Sequence, residues 1–122
     1  MQENDYQISS NNIRKYYYSI GSVFSPALKQ IVIFNHYGLR HLFGNRNGVR
    51  SKKEILHRYN LLKYTEIILS NVKEISGTRK LMGRKSIMEF FSIERYIDDK
   101  KVRLIIRRLN KGVLHFYSIM NT

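Results

Sequence analysis

The residues of this chain best suited to chemistry fall in two places. One is His41, just ahead of the basic loop Gly44-Asn45-Arg46-Asn47-Gly48-Val49-Arg50; the other is the C-terminal stretch Lys101 to Met120, which holds Arg103, Arg107, His115 and Tyr117. Histidine serves as base or acid near neutral pH, and arginine stabilises a developing phosphorane, with tyrosine or serine as further proton carriers. Together these groups suit cleavage of RNA by its own 2′-hydroxyl without a metal. Each also has a plainer reading. His115 is equally well a polar residue of an exposed strand, and His41 a hydrogen-bonded histidine at a helix end. Arg103 and Arg107 are more commonly solvent-facing or phosphate-positioning than catalytic. His57 reads as surface.

Other chemistries are harder to build. The chain has no cysteine, which removes disulfides, thiolate metal sites and thiol nucleophiles. His36 and His41 are five residues apart, about 140° around a helix, so they do not share a face as a zinc pair would. Two-metal hydrolysis needs clustered acidic ligands, whereas the nine carboxylates are scattered and Asp98-Asp99 reads as a turn. Gly44 to Gly48 lacks the lysine-serine/threonine ending of a phosphate loop. No metal and no cofactor is expected.

The groups at the C-terminus require a β-hairpin to hold them. Lys101 to Leu109 and Val113 to Met120 are rich in β-branched, aromatic and long apolar residues around Asn110-Lys111-Gly112. A type I turn with Gly112 in the left-handed position sets Leu109 opposite Val113. Arg107 then faces His115, Ile105 faces Tyr117 and Arg103 faces Ile119. The opposite face, with Val102, Leu104, Ile106, Leu114, Phe116 and Met120, is built for a core. His41 needs a helix, for which two readings stand: one starting at Ser25-Pro26, the other a strand over Gln30 to Phe34 followed by a helix capped by Asn35. Ser51-Lys52-Lys53-Glu54 is a capping-box pattern that opens a second helix reaching about Asn71. Val72 to Ile75, Ser86 to Tyr96 and the two hairpin arms supply roughly four strands, linked by Gly77 to Arg84 and by Asp98-Asp99. The fold class expected is α+β, with N-terminal helices on one face of a four-stranded antiparallel sheet.

Composition sets the limits. At 122 residues and 43% hydrophobic the chain suits one domain, over 25–122, with 1–24 as a flexible or accessory segment. Arg14 to Phe24, with three successive tyrosines, reads as either helix or strand. Twenty-two lysines and arginines against nine acids leave a charge of +13, which favours nucleic acid or another polyanion as partner. No apolar run is long enough to span a bilayer, and Met1 to Asn12 has no signal-peptide core.

The element order, the segment IVIFNHYGLRHLFGNRN, the capped helix and the ending VRLIIRRLNKGVLHFYS resemble the superfamily of nucleases named for barnase, EndoU, colicin-type tRNases and RelE, over about residues 30 to 120. That resemblance implies helices on one face of the sheet and RNA on the other, cleaved without metal. It places His41, His115, Tyr117 and Ser118 in a catalytic set, to which the hairpin face adds Arg107, although the hairpin register turns Ser118 toward the core unless the strand is bulged. Arg46, Arg50, Arg103 and Lys53 are expected to bind RNA. The implied protein is a tRNA-cleaving antibacterial toxin domain, exported as part of a larger protein and acting in the cytoplasm of a target bacterium. Its expected partner is an acidic immunity protein that inhibits it, as the charge also suggests. The alternative is a nucleic-acid-binding module without catalysis, holding phosphates on the same basic face and stacking bases on tyrosines.

Overall fold

Asn35 and Ser51 set where the two helices around the basic loop begin. The Asn35 side chain accepts a hydrogen bond from the Tyr37 amide at 3.2 Å, so the helix starts at His36 rather than at Pro26. Ser51 Oγ accepts from the Glu54 amide at 3.1 Å, while the Glu54 carboxylate is held by Arg58 at 2.8 Å instead of reaching back to the cap. The computed structural model describes residues 10–45 and 48–121. In chain order these form α1 (Ser10–Ile20), β1 (Ser22–Ser25), β2 (Gln30–Ile33), α2 (His36–Phe43), β3 (Gly44–Asn45) and β4 (Gly48–Val49). They continue as α3 (Lys52–Leu62), α4 (Thr65–Asn71), β5 (Gly77–Met82), β6 (Ile87–Ile97), β7 (Lys100–Leu109) and β8 (Leu114–Asn121).

The class is α+β, but the sheet is larger than four strands and not purely antiparallel. Six strands run in the order β1-β2-β8-β7-β6-β5, with β2 and β8 parallel and the other neighbours antiparallel. The two strands beyond four are β1, which was not expected, and β2, which bears out the reading of Gln30 to Phe34 as a strand before a helix capped by Asn35, so helices do not all precede the sheet. Gly77–Met82, expected as a linker, pairs along β6 in place of Val72 to Ile75. The helix expected from Ser51 to Asn71 is broken at Lys63-Tyr64 into α3 and α4.

The core lies on one face of the sheet. Val102, Leu104 and Ile106 of β7 meet Leu114, Phe116 and Ile119 of β8, Ile93 of β6 and the buried sides of all four helices. Each such aliphatic side chain contributes about 2 kcal/mol by leaving water. Ile13 and Tyr17 of α1 are at most 2% exposed, so residues 10–24 pack with the rest, and the expected boundary at 24/25 falls within β1. Gly38 lets α2 lie directly on β8: a Cβ there would collide with the Phe116 carbonyl oxygen and ring and with the Tyr17 hydroxyl.

The β7–β8 hairpin keeps the expected start and departs from it twice. Asn110 (φ 52°) and Lys111 (φ 61°), not Gly112, take the left-handed conformation, and the Gly112 amide donates to the Leu109 carbonyl at 2.8 Å. Asparagine tolerates that region, and Asn110 is fixed there by two hydrogen bonds with the Ile87 backbone, each 2.8 Å. Arg107 pairs with His115 as the spacing predicts. Beyond Ile106, however, a β-bulge gives β8 one extra residue, Tyr117, so Ile105 faces Ser118 and Arg103 faces Met120. The slip returns Ile119, rather than Met120, to the core.

Candidate functional site

His41 sits in the last turn of α2, where backbone carbonyls lack helical partners. Arg50, which follows β4, folds back onto it: Nε donates to the His41 carbonyl at 3.0 Å and Nη2 to the His41 Nε2 at 3.2 Å. A guanidinium has donors only, so Nε2 must be the acceptor and the imidazole is neutral, with its proton on Nδ1. Burial, then the positive charges of Arg50, Arg58 and Arg107, lower the His41 pKa to about 4. On its other side the imidazole stacks on Tyr117, with ring centroids 4.2 Å apart and planes 26° from parallel.

A second couple lies beyond Tyr117. Arg107 Nε donates to His115 Nε2 at 2.9 Å. His115 is 2% exposed. Its pKa is lowered to about 4, first by burial, then by Arg107 and His36. The Arg107 guanidinium is clamped between aromatic rings, 4.6 Å from the Tyr117 centroid and 5.0 Å from that of Tyr37. Tyr37 also packs on His36 and His115, at 4.2 and 5.3 Å.

These two couples, Arg50–His41 and Arg107–His115, bracket Tyr117 at a cleft of about 700 Å³. Tyr37, Phe43, Val49 and Tyr117 give it apolar walls, and Arg40, His41 and Arg107 supply the polar groups. Two guanidiniums that end on uncharged acceptors form a receptor for an anion such as a phosphodiester. A neutral imidazole of low pKa beside that anion is placed to accept a proton.

Of the residues singled out in the sequence, His41, Arg50, Arg107, His115 and Tyr117 converge here. Ser118 does not: it is 3% exposed, and its hydroxyl accepts from Arg58 Nη1 at 2.9 Å beneath α3. Arg103 is drawn away to Glu94 Oε2 at 2.7 Å, and the same carboxylate takes Lys101 at 3.4 Å. Lys53 is exposed in the first turn of α3, and Arg46 lies outside the described residues. Sequence reasoning missed Tyr37, Arg40 and Arg58. Tyr37 precedes His41 by four residues, the helical spacing that puts both on one face, but that signal depends on the helix starting at His36. Arg58 carried the i, i+4 pairing with Glu54 and gave no sign that it would also reach Ser118 and the Ile119 carbonyl. His57 hydrogen-bonds Asn121 at 2.7 Å, away from the cleft.

No group of three or more histidine, cysteine or acidic side chains suited to a metal occurs among the described residues. No helix among them is long and apolar enough to cross a membrane. No family model, curated protein or solved structure matches this chain.

Proposed function

We propose that the cleft cleaves RNA by attack of a 2′-hydroxyl on the adjacent phosphodiester. The observation that carries this reading is the array Arg50–His41, Tyr117, Arg107–His115, in which two half-buried cations donate to two neutral imidazoles. An entering phosphate is the better acceptor, because a charged oxygen outcompetes a neutral ring nitrogen. As Arg50 turns from His41 to the phosphate, Nε2 is released to take the 2′-hydroxyl proton. The 2′-oxygen bonds to phosphorus, the bond to the 5′-oxygen breaks, and Arg50 and Arg107 stabilise the added charge of the phosphorane. The Nε2 of His115 already takes Arg107 and its ring is buried, so it positions Arg107. The acid role passes to the Tyr117 phenol, which delivers its proton to the leaving 5′-oxygen. The products are a 2′,3′-cyclic phosphate and a 5′-hydroxyl, and proton return from His41 to Tyr117 through water resets the site.

The charge of +13 extends the reading to the expected biology. The protein is a tRNA-cleaving antibacterial toxin domain of the barnase, EndoU, colicin and RelE type, carried by a larger exported protein into the cytoplasm of a target bacterium. An acidic immunity protein that covers the basic cleft is its partner. One observation favours a second reading, a nucleic-acid-binding module without catalysis: in the free protein an arginine already fills the acceptor nitrogen of each imidazole.

The test is incubation with total bacterial RNA in EDTA, comparing the protein with His41→Ala. Discrete tRNA fragments ending in 2′,3′-cyclic phosphate, lost in the variant while RNA binding persists, support the nuclease. Magnesium-dependent 3′-hydroxyl ends refute the mechanism. Intact RNA with salt-dependent binding unchanged by His41→Ala supports the binding module.

A further inference from the structure

Strand register aligns one row of side chains across the sheet beside the cleft. Ile33 lies next to His115, His115 next to Arg107, Arg107 next to Phe90, and Phe90 next to Arg79. Partners directly opposite share a face. The Phe90 ring stands edge-on to Tyr117 with centroids 5.5 Å apart, which identifies that face as the one carrying the cleft. From Arg107 the row therefore leaves the cleft, crosses the half-buried Phe90 of β6 and ends at the exposed Arg79 of β5.

The three arginines of β7 are all engaged: Arg103 with Glu94, Arg107 with His115 and Arg108 with Glu89. Arg79 makes no ion pair or hydrogen bond among the described residues. A cation, an aromatic ring and a second cation thus stand side by side on three successive strands. Strands lie about 4.8 Å apart, which puts the Arg107 and Arg79 backbones roughly 10 Å apart, within reach of two long side chains closing on successive phosphates.

We propose that Phe90 and Arg79 form a second nucleotide subsite, so that the substrate is an unpaired RNA strand crossing β7, β6 and β5. The scissile phosphate sits on Arg107, the neighbouring base stacks on Phe90, and the next phosphate meets Arg79. A duplex is disfavoured, because its bases are turned inward and cannot reach the Phe90 ring. This deepens the RNA-cleaving reading, on which the position of the scissile phosphate rests; the subsite itself is a binding property and is tested as one.

The experiment measures binding of a single-stranded, six-nucleotide 2′-O-methyl RNA, which has no free 2′-hydroxyl to attack, by fluorescence anisotropy over a range of salt concentrations. Arg79→Ala is expected to reduce the slope of log affinity against log salt by about 0.7, the loss of one single-strand phosphate contact. Lys73→Ala makes the same charge change on an exposed residue outside the row and is expected to leave the slope unchanged. Phe90→Leu keeps apolar volume in the sheet but removes the ring face, and is expected to weaken binding on the order of tenfold. The proposal is overturned if Arg79→Ala and Lys73→Ala give equal slopes, if Phe90→Leu binds like the unchanged protein, or if duplex RNA binds as tightly as the single strand. Cleavage of unmodified RNA is scored separately. The expected binding pattern without cleavage removes the nuclease reading and supports the subsite, whereas cleavage without an Arg79 effect removes the subsite alone.

Discussion

Replacing His115 with glutamine tests whether the second imidazole is held neutral as a support for Arg107. In the folded protein its pKa lies near 4, against 6.5 for an unburied histidine. Between these values the unfolded chain binds a proton that the folded chain excludes, so this residue's contribution to stability is complete above pH 6.5 and is lost as pH falls toward 4. From pH 7 to pH 5 the loss from this one group is about 2 kcal/mol. The paired carboxylates do not confuse this window. Glu54 and Glu94 are lowered from 4.5, chiefly by hydrogen bonds from Arg58 and Arg103, so their contributions fade only below it. Glutamine offers an oxygen to Arg107 Nε and does not titrate. Urea unfolding at pH 7 and pH 5 is therefore expected to show a fall in stability smaller by about 2 kcal/mol in His115→Gln than in the unchanged protein. Equal pH dependence in the two proteins would falsify the neutral, buried assignment and the role built on it.

Three further outcomes follow from the same geometry. Arg107→Lys replaces a planar fork held by His115, Tyr37 and Tyr117 with a point charge, and should lower the rate of RNA cleavage by about 10²-fold while circular dichroism stays native; a rate within threefold would count against transition-state stabilisation by Arg107. Arg58→Met leaves the buried Ser118 hydroxyl and Ile119 carbonyl without their donor and should cost about 1–3 kcal/mol in urea unfolding, part of it recovered in the double variant with Ser118→Ala. Gly38→Ala forces α2 away from Phe116 and Tyr17 and should cost about 2–3 kcal/mol, read as a lower unfolding midpoint; an unchanged midpoint would mean that the helix does not need its close seat on β8.

The parts legible in the sequence were those governed by local pattern. The hairpin arms, the Arg107–His115 pairing, the Ser51 cap and the Asp98-Asp99 turn follow from residue types within a few positions of one another. What escaped was set by distant contacts. Gly77–Met82 has no alternation of its own, with Thr78, Arg79 and Lys80 polar in succession, and only the long β6 beside it decides that it pairs. The parallel seat of β2 against β8 joins residues more than eighty positions apart, with no turn to announce it. At the site, His41, His115, Arg50 and Arg107 were singled out by residue type, whereas Arg103 is taken by Glu94, Tyr37 and Arg40 depended on the helix start and Arg58 on a contact sixty residues away. The bulge was foreseen as one way to reconcile Ser118 with the register, yet its position is fixed by how β8 meets both β7 and the helices above it.

That bulge separates two tasks within a single strand. Taking Tyr117 out of β8 would restore unbroken alternation, with Phe116 still opposite Ile106, Ser118 opposite Ile105 and Ile119 opposite Leu104. Nothing in the sheet's own pairing calls for the extra residue, which stands as an insertion into a framework already complete. It supplies the ring that meets His41 on one side and Arg107 on the other. The pairing of the sheet and the lining of the cleft are therefore separable at this point: exchanging the inserted side chain leaves the register of β8 on β7 as it is, so a strand built this way can change what its cleft presents while keeping how it folds.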